Sequence, residues 1–355
     1  MGLAKASRLG NHCAALFIAW GGGRVLFSVV FMMLKEVSVP EDDAVGLAEA
    51  TLRTDLWQLK QLYEKYIWAP APVRAEMEAA GINLSRPDFY SESPTLADIE
   101  TSYEYPAAGG DNGFPAYEDP QVFDDATITA TVRQVIDHSR TFRAETTAET
   151  GFYWTNSQFT SIDALGYYGL IASHRPRRIV EIGSGFSTHV ASAAIRDNEI
   201  ACSLTCIDPE PRTDIEVLPN VNFLRQYIQN VPPSSVFADL EPGDIVFYDG
   251  SHTVKTGSDT VYFYLKLLPY LPRGVIVHAH DVFLPYPRPR STIAAARISW
   301  SEQYLLMAHL HNTARYKVLY PSNYIAQRHP DLTAELLDGR VGPNGGSLWF
   351  RINES

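Results

Sequence analysis

Arg178-Ile-Val-Glu-Ile-Gly-Ser-Gly-Phe-Ser-Thr-His189 reads as a buried strand (Ile179, Val180, Ile182), then a glycine turn at Gly183 and Gly185, then a helix opened by Ser187 or Thr188. A strand, a glycine turn and a helix in that order bring backbone N–H groups and a helix N-terminus close to a ligand, as nucleotide-type sites require. Glu181 is unusual there, because a carboxylate inside a parallel-sheet strand is costly unless it has a partner. An acid two residues before the first glycine favours a cationic or hydroxyl-rich ligand over a pyrophosphate. The third glycine of the dinucleotide fingerprint is absent, so close helix packing of that kind is not encoded. Asp208, closing the next apolar run Leu204-Thr-Cys-Ile207, is suited to accept hydrogen bonds from a ribose diol at the tip of the second strand.

Working outward, strand and helix patterns alternate, which argues for a parallel sheet covered on both faces. Strands are expected near 178–182, 203–207, 221–224, 244–248, 274–278, 316–320 and 346–352, with helices near 187–197, 256–268 and 300–312. The last strand, with Ser347-Leu-Trp-Phe-Arg351, alternates like one at the sheet's edge. Upstream, residues 41–82 look helical: Glu41-Asp-Asp43 supply an acidic first turn, and Leu47, Leu52, Leu56, Leu59, Leu62 and Tyr63 recur at helical spacing. Residues 83–125, with Pro106-Ala-Ala-Gly-Gly-Asp111, read as an irregular linker. A second helix is expected over about Asp125–Ala144. Asp163–Ser173 reads as the helix that enters the first strand. The organisation is a leader at 1–40, a helical and irregular accessory region at 41–150, and an α/β domain at 151–355.

The chain has 355 residues, 45% of them hydrophobic, which fits one large domain plus an accessory region. Lys+Arg 29 against Asp+Glu 41 gives a net charge of −12, which argues against unspecific nucleic-acid binding. Cys13, Cys202 and Cys206 make no disulfide framework, and the latter two flank the second strand as core residues. Residues 13–34 are apolar after Lys5 and Arg8, but Gly21-Gly-Gly-Arg24 interrupts them. An arginine at a helix centre costs roughly 2.5–3.5 kcal/mol on insertion scales, and no small-x-small cleavage site follows. Three readings stay open: a non-essential leader with the true start at Met32 or Met33, a membrane tether through residues 13–34, and a cleaved signal.

Glu-x-Gly-x-Gly followed by Asp208 resembles the first two motifs of class I S-adenosylmethionine-dependent methyltransferases. The resemblance narrows with Asn156, Phe159, Asp163-Ala164, Asp244-Ile-Val-Phe-Tyr-Asp-Gly-Ser-His252, Lys255-Thr-Gly-Ser-Asp259, Val275-Ile-Val-His-Ala-His-Asp-Val-Phe-Leu-Pro285, Trp300-Ser-Glu-Gln-Tyr-Leu305 and Ser347-Leu-Trp-Phe350. Together these resemble one bacterial subfamily, methyltransferase family 24, found in contexts of sugar, polysaccharide or secondary-metabolite modification. The resemblance covers about 150–355 and does not extend to residues 1–150. It implies a Rossmann-like, seven-stranded, mostly parallel sheet whose final strand is antiparallel. It implies S-adenosylmethionine at Glu181, Gly183, Ser184, Gly185, Asp208 and Asp249, with ring contacts from Gln229 and Asn230. Gly185 is expected at positive φ, beside the donor's approach. The donor is cytoplasmic, so the expected location is the cytoplasm, with attachment to the inner face of the membrane left open.

Methyl transfer from a sulfonium is an in-line displacement, so the protein must align a nucleophile and accommodate its proton. Asp249 and the pair His280–Asp281 close two buried strands, whose carboxyl ends open where α/β sheets bind ligands. Catechol-type and macrolide-sugar methyltransferases look alike here and hold magnesium. By that resemblance the ligands are Asp249, His280 and Asp281, although imidazole suits manganese, iron or zinc better. The alternative is a hydrogen-bonded polar cluster without a metal. His252, three residues past Asp249 in a loop, is the best candidate for a general base, with a helix-capping role as the alternative. His278 is expected to turn away from His280 into the sheet's packing. Lys255 and Asp259 read either as a surface pair or as acceptor contacts. The aromatic residues near Phe152-Tyr-Trp154 and Trp300 read either as a rim for a sugar ring or as core. The expected activity is O-methylation of a sugar, glycan or small-molecule hydroxyl. A non-catalytic binding module and a metal-dependent hydrolase are the two other classes.

Overall fold

The strand expected at 178–182 forms as β1 (Arg178–Ile182) and sits where the strand order of a seven-stranded sheet reverses. The computed structural model describes residues 49–86, 88–106, 109–144 and 151–353. The remaining strands are β2 (Ser203–Ile207), β3 (Val221–Leu224), β4 (Ile245–Tyr248), β5 (Ile276–Ala279), β6 (Tyr316–Pro321) and β7 (Leu348–Ile352). Their order is β3-β2-β1-β4-β5-β7-β6. Strands β1 to β5 pair in parallel, and β7 is antiparallel to both β5 and β6. The last strand is therefore not at the edge, as its alternation suggested. It lies between β5 and β6, and four of its five residues are buried.

The helices in chain order are α1 (Glu49–Tyr66), α2 (Ala71–Ala79), α3 (Leu96–Thr101), α4 (Asp125–Ser139), α5 (Ser161–His174) and α6 (Phe186–Asp197). They continue as α7 (Asp259–Tyr262), α8 (Arg290–Ala294), α9 (Glu302–Leu310), α10 (Ser322–Arg328) and α11 (Pro330–Leu337). Helices cover both faces of the sheet. Four of them, α3, α8, α10 and α11, were not expected; α3, capped by Thr95 and Asp98, lies within the stretch 83–125 read as an irregular linker. The helix expected over 41–82 breaks at Ala69-Pro70 into α1 and α2, because the residue before a proline is pushed out of the helical region. Residues 41–48 and the apolar stretch 13–34 lie outside the described residues. Among the described residues no helix is long and apolar enough to cross a membrane.

Two compact units divide the described residues. One holds α4–α7, the whole sheet and α9–α11, within 115–288 and 300–353. Its first described segment opens at Pro115 and so includes α4, which packs on α5. Gly169 of α5 lies against Val135 of α4, and Gly166 lies under the Tyr320 ring, so both glycines admit close neighbours that a Cβ would exclude. The other unit holds residues 49–114 together with 289–299. There Asp111 accepts hydrogen bonds from the Ser291 backbone N–H (2.7 Å) and hydroxyl (2.8 Å), tying α8 to the 83–114 segment. The leucines of α1 do recur at helical spacing, yet Leu52, Leu56, Leu59 and Leu62 are exposed.

The helix expected over 256–268 is also broken. Ser258 caps α7 by accepting from the Val261 N–H (3.1 Å). The chain then widens into a π turn at Phe263–Leu267 and tightens into a 3₁₀ turn at Leu268–Tyr270. Such widened turns are frequent at functional sites, and this one carries Tyr264, whose hydroxyl reaches Glu302 at 2.7 Å.

Candidate active site

All the expected chemistry-bearing residues except Gln229 and Asn230 sit at the carboxyl ends of β1, β2, β4 and β5. The loop after β1 is held from two sides. Gly183 donates to the Ile207 carbonyl (3.0 Å), and Asp249 donates its backbone N–H to the Ile182 carbonyl (2.8 Å). Gly183 has φ 80°, and a Cβ there would collide with the Asp249 carbonyl oxygen. The close approach of the β1 and β4 tips therefore needs a glycine. Gly185 differs from expectation. Its φ is 163°, extended rather than left-handed, and a Cβ would meet only the Arg212 Cβ at 3.7 Å.

Asp208 accepts from the Ser184 N–H (2.7 Å) and hydroxyl (3.1 Å), and from the Glu210 N–H (2.7 Å). It thus shapes the glycine loop while remaining half-buried. Glu181 is fully buried. Thr188 donates its hydroxyl to one carboxylate oxygen, which the Cys206 thiol also approaches at 3.4 Å. The other oxygen, Oε1, has no donor among the described residues. Burial outweighs these hydrogen bonds and pushes the Glu181 carboxyl up to about 7. Cys206 is the core residue expected; burial raises its thiol too. In the turn Ile228–Asn230 after β3, the Gln229 amide donates to the Gly257 carbonyl (3.1 Å), and its buried Oε1 likewise has no donor among the described residues. Asn230 is exposed.

The second cluster joins the tips of β4 and β5. Asp249, His280 and Asp281 each offer a ligand atom within 4.8 Å of the others. His252 joins them: its Nε2 lies 3.2 Å from Asp249 Oδ1 and 3.5 Å from Asp281 Oδ2. His280 Nδ1 lies 3.5 Å and 3.8 Å from the same two oxygens. Behind each ring stands another carboxylate, Glu302 at 2.8 Å from His252 Nδ1 and Asp163 at 3.6 Å from His280 Nε2. His252 (φ 57°) and Asp281 (φ 54°) both hold left-handed backbone conformations, which non-glycine residues adopt at a cost and which concentrate at functional sites.

This charge arrangement sets the protonation. Burial alone would keep His252 neutral, but Asp249, Glu302 and Asp281 outweigh it and push the imidazole up to about 10. Burial likewise opposes the charge on His280, and Asp249 and Asp281 drive it well above the usual imidazole range. Asp249 is held well below the carboxylate range, against its burial, by the two imidazoles. The cluster therefore demands positive charge at its centre. His252 has Nδ1 against Glu302 and Nε2 near Asp249. Its ring does not cap the 256–268 segment, which Ser258 caps.

Two residues of this cluster were named in the sequence only as parts of motifs. Glu302 is buried at the start of α9, and Asp163, in the first turn of α5, accepts the Gly346 (2.9 Å) and Ser347 (3.1 Å) N–H groups. Arg288 was not anticipated at all. It is buried, donates to the Asp281 carbonyl (2.8 Å) and stacks on Trp300, its guanidinium 4.4 Å from the ring centroid. Trp300 also lies against the His252 ring, centroids 4.3 Å apart. Trp300 thus belongs to the site, while Phe152 and Trp154 pack with Phe142 in the core.

His278 does not turn away from His280. Residues two apart on a strand share a face, and the two ring centroids are 5.7 Å apart. His278 does belong to the packing: it stacks on Phe247 (3.9 Å) and meets the Ser347 hydroxyl at 2.9 Å, and burial keeps it neutral. Lys255 is exposed. Asp259 instead braces the 249–252 loop, accepting from the Ser251 N–H (2.7 Å) and the Tyr248 hydroxyl (3.2 Å).

Residues 180–282 match the sequence model of a family described as a methyltransferase domain. An uncharacterised protein of Archaeoglobus fulgidus is 37% identical over 97 residues, 25% of this chain and 42% of that relative. The chain thus spans less than half the length of the curated relative it matches. Among solved structures, a Podospora anserina methyltransferase bound to S-adenosylhomocysteine is similar at 15% identity, covering 63% of this chain and 88% of that one, with a TM-score of 0.35. A Bacillus cereus O-methyltransferase in complex with the same product is similar at 12% identity, covering 64% and 91%, with a TM-score of 0.34. Likeness at that level carries no weight beside the strand order itself.

Proposed function

We propose, from a chain whose residues 180–282 match a methyltransferase-domain family, that it is a class I S-adenosylmethionine-dependent enzyme that methylates an oxygen nucleophile, a hydroxyl of a sugar, glycan or other small molecule. The O–CH₃ bond forms as the S–CH₃ bond breaks, S-adenosylhomocysteine leaves, and the hydroxyl passes its proton to His252, the proposed general base. One observation carries this reading: the glycine loop and Asp208 on one side, and Asp249, His280 and Asp281 on the other, open at the same edge of the sheet around the β1–β4 switch point.

On the donor side, Gly183, Ser184 and Gly185 supply a backbone with open space at Gly185. Asp208 is the ribose acceptor, and Asp249 lines the same pocket from β4. Glu181 Oε1 and Gln229 Oε1 are enclosed acceptors without a donor among the described residues, suited to the ammonium and adenine amine of the donor. Asn230 flanks the ring.

On the acceptor side, Asp249, His280 and Asp281 fit a divalent cation by donor type and spacing. Bound there, such an ion would act as a Lewis acid on the acceptor oxygen and lower its pKa. Asp249 and Asp281 orient the acceptor, and Trp300 together with Arg288 closes one side and excludes water. Domain limits of 1–40, 41–150 and 151–355 remain part of this proposal, with 115–150 contributing α4.

Calorimetric titration with S-adenosylmethionine, followed by mass spectrometry of products from hydroxyl and amine acceptors, tests the reading. Binding of the donor and a +14 Da product on a hydroxyl is the expected result. Absence of donor binding, or methylation confined to amines, would sink it.

A further inference from the structure

We propose that α1 is one half of a parallel, two-stranded coiled coil, and that its partner is α1 of a second copy of this chain.

The apolar face of α1 is open. Leu52, Leu56, Leu59, Tyr63 and Tyr66 follow one another at alternating steps of four and three residues, the spacing of a and d positions in a heptad. They form one stripe along the helix, which Leu62 widens. No residue from Thr51 to Tyr66 is buried, and Leu52, Leu56, Leu59 and Leu62 are 44%, 54%, 61% and 54% exposed. Most helices in proteins draw their stability from packing such a face, because short helices are marginal in water by themselves. α1 runs for 18 residues and buries none of its four leucines within the described residues.

Charge decides the partner and its orientation. With Leu52, Leu59 and Tyr66 at d and Leu56 and Tyr63 at a, the flanks of the seam are Arg53, Lys60 and Ile67 at e and Asp55 and Leu62 at g. In a parallel pair each g residue meets the e residue five places further on in the other helix. Asp55 then meets Lys60 of the second copy, and Leu62 meets Ile67 of the second copy. Acid faces base and apolar faces apolar, and symmetry makes each match twice. Ile67 still follows the helix, its N–H donating to the Tyr63 carbonyl at 2.9 Å. An antiparallel pair sets e against e, which would place Lys60 against Arg53 or another Lys60. Within its own helix Lys60 has only an exposed contact with Glu64 at 3.7 Å, loose enough to be shared with Asp55 across the seam.

The charge balance disfavours a lipid surface. Helices that lie on membranes carry an excess of Lys and Arg on the polar face. In α1, Arg53, Lys60 and Lys65 are matched by Glu49, Asp55 and Glu64.

Sedimentation equilibrium of the full-length protein tests the proposal. A seam this short gives a small, transient interface, so concentrations should reach about 100 μM. A reversible monomer–dimer equilibrium of a 39.6 kDa chain is expected. Leu56→Glu combined with Leu59→Glu should leave a monomer that is folded by circular dichroism, since both side chains already face water within the chain. Lys60→Glu sets acid against acid and should weaken the dimer roughly tenfold. Adding Asp55→Lys to that variant should restore the dimer to within about twofold. A monomer at every concentration would overturn the proposal, and oxidative footprinting of Leu56 and Leu59 would then show whether residues 1–48 of the same chain cover the face. A dimer indifferent to the double glutamate variant would also overturn it, as would a loss in Lys60→Glu that the swap does not recover. Vesicles of anionic lipid that bind the protein, but not the double glutamate variant, would make the face a membrane surface instead.

Discussion

Gly183 and Gly185 share one loop but answer to different constraints. Gly183 turns at φ 80° with the Asp249 carbonyl where a Cβ would be. Gly183→Ala should therefore cost about 1–3 kcal/mol and lower the melting temperature by several degrees. At Gly185 the neighbouring Arg212 Cβ is 3.7 Å away, so Gly185→Ala should melt within ~0.5 kcal/mol of the parent. It should nonetheless lose tenfold or more in donor affinity. Calorimetry of both variants checks this, and a Gly185→Ala protein with parental affinity would remove the glycine loop from the donor site. Glu181 gives a pH dependence. Its carboxyl rises from an unfolded value of 4.5 to about 7 on folding, so the native state resists its ionisation. The resulting penalty is absent below pH 4.5 and complete above about 7, where it amounts to roughly 3 kcal/mol. Glu181→Gln should accordingly raise the melting temperature at pH 8 and leave it nearly unchanged at pH 4. An offset that does not vary with pH would refute the titration.

Among the elements, the first turn of α5 does two tasks at once. Asp163 ties down the Gly346 and Ser347 amides just before β7 and faces His280 across the sheet's end. Removing it strands the Gly346 N–H, at about 1–3 kcal/mol, and leaves the Ser347 N–H with the Ser322 hydroxyl alone (2.7 Å). Asp163→Ala should speed amide exchange at Gly346 and Ser347 while β1 and β2 keep parental protection. Uniform exchange rates in the variant would mean that the carboxylate does not anchor β7. Tyr264 is a comparable case: the π turn aims its hydroxyl at Glu302, so a local departure from helix geometry fixes a carboxylate behind His252.

On the scale of the whole molecule, the interruption at 289–299 matters most. This segment leaves the unit that holds the sheet and joins residues 49–114, where Asp111 holds Ser291. A chain begun at residue 115 should keep its cooperative melt, because the sheet and its helices lie in the other unit. Its 289–299 segment should become sensitive to trypsin at Arg290 and Arg297. Cleavage first appearing elsewhere, at sites protected in the full chain, would show that the two units are not energetically separable.

The alternation of strands and helices, the glycine loop at 183–185 and the acids at the strand tips are legible in the amino-acid chain alone. Those features are local: a strand's apolar run, a turn's glycine and the acid that ends a strand lie within a few residues of one another. The shared face of His278 and His280 was equally legible from the two-residue period and was misread. Tertiary structure decided the rest. The insertion of β7 between β5 and β6, with four of its five residues buried, is fixed by antiparallel pairing with strands distant in sequence. Glu302 reaches His252 from fifty residues away, and Asp163 reaches His280 from another helix altogether. Burial and facing carboxylates push the His252 imidazole up to about 10, which the sequence does not record, because hydrophobic periods show which residues are buried but not which buried charges meet.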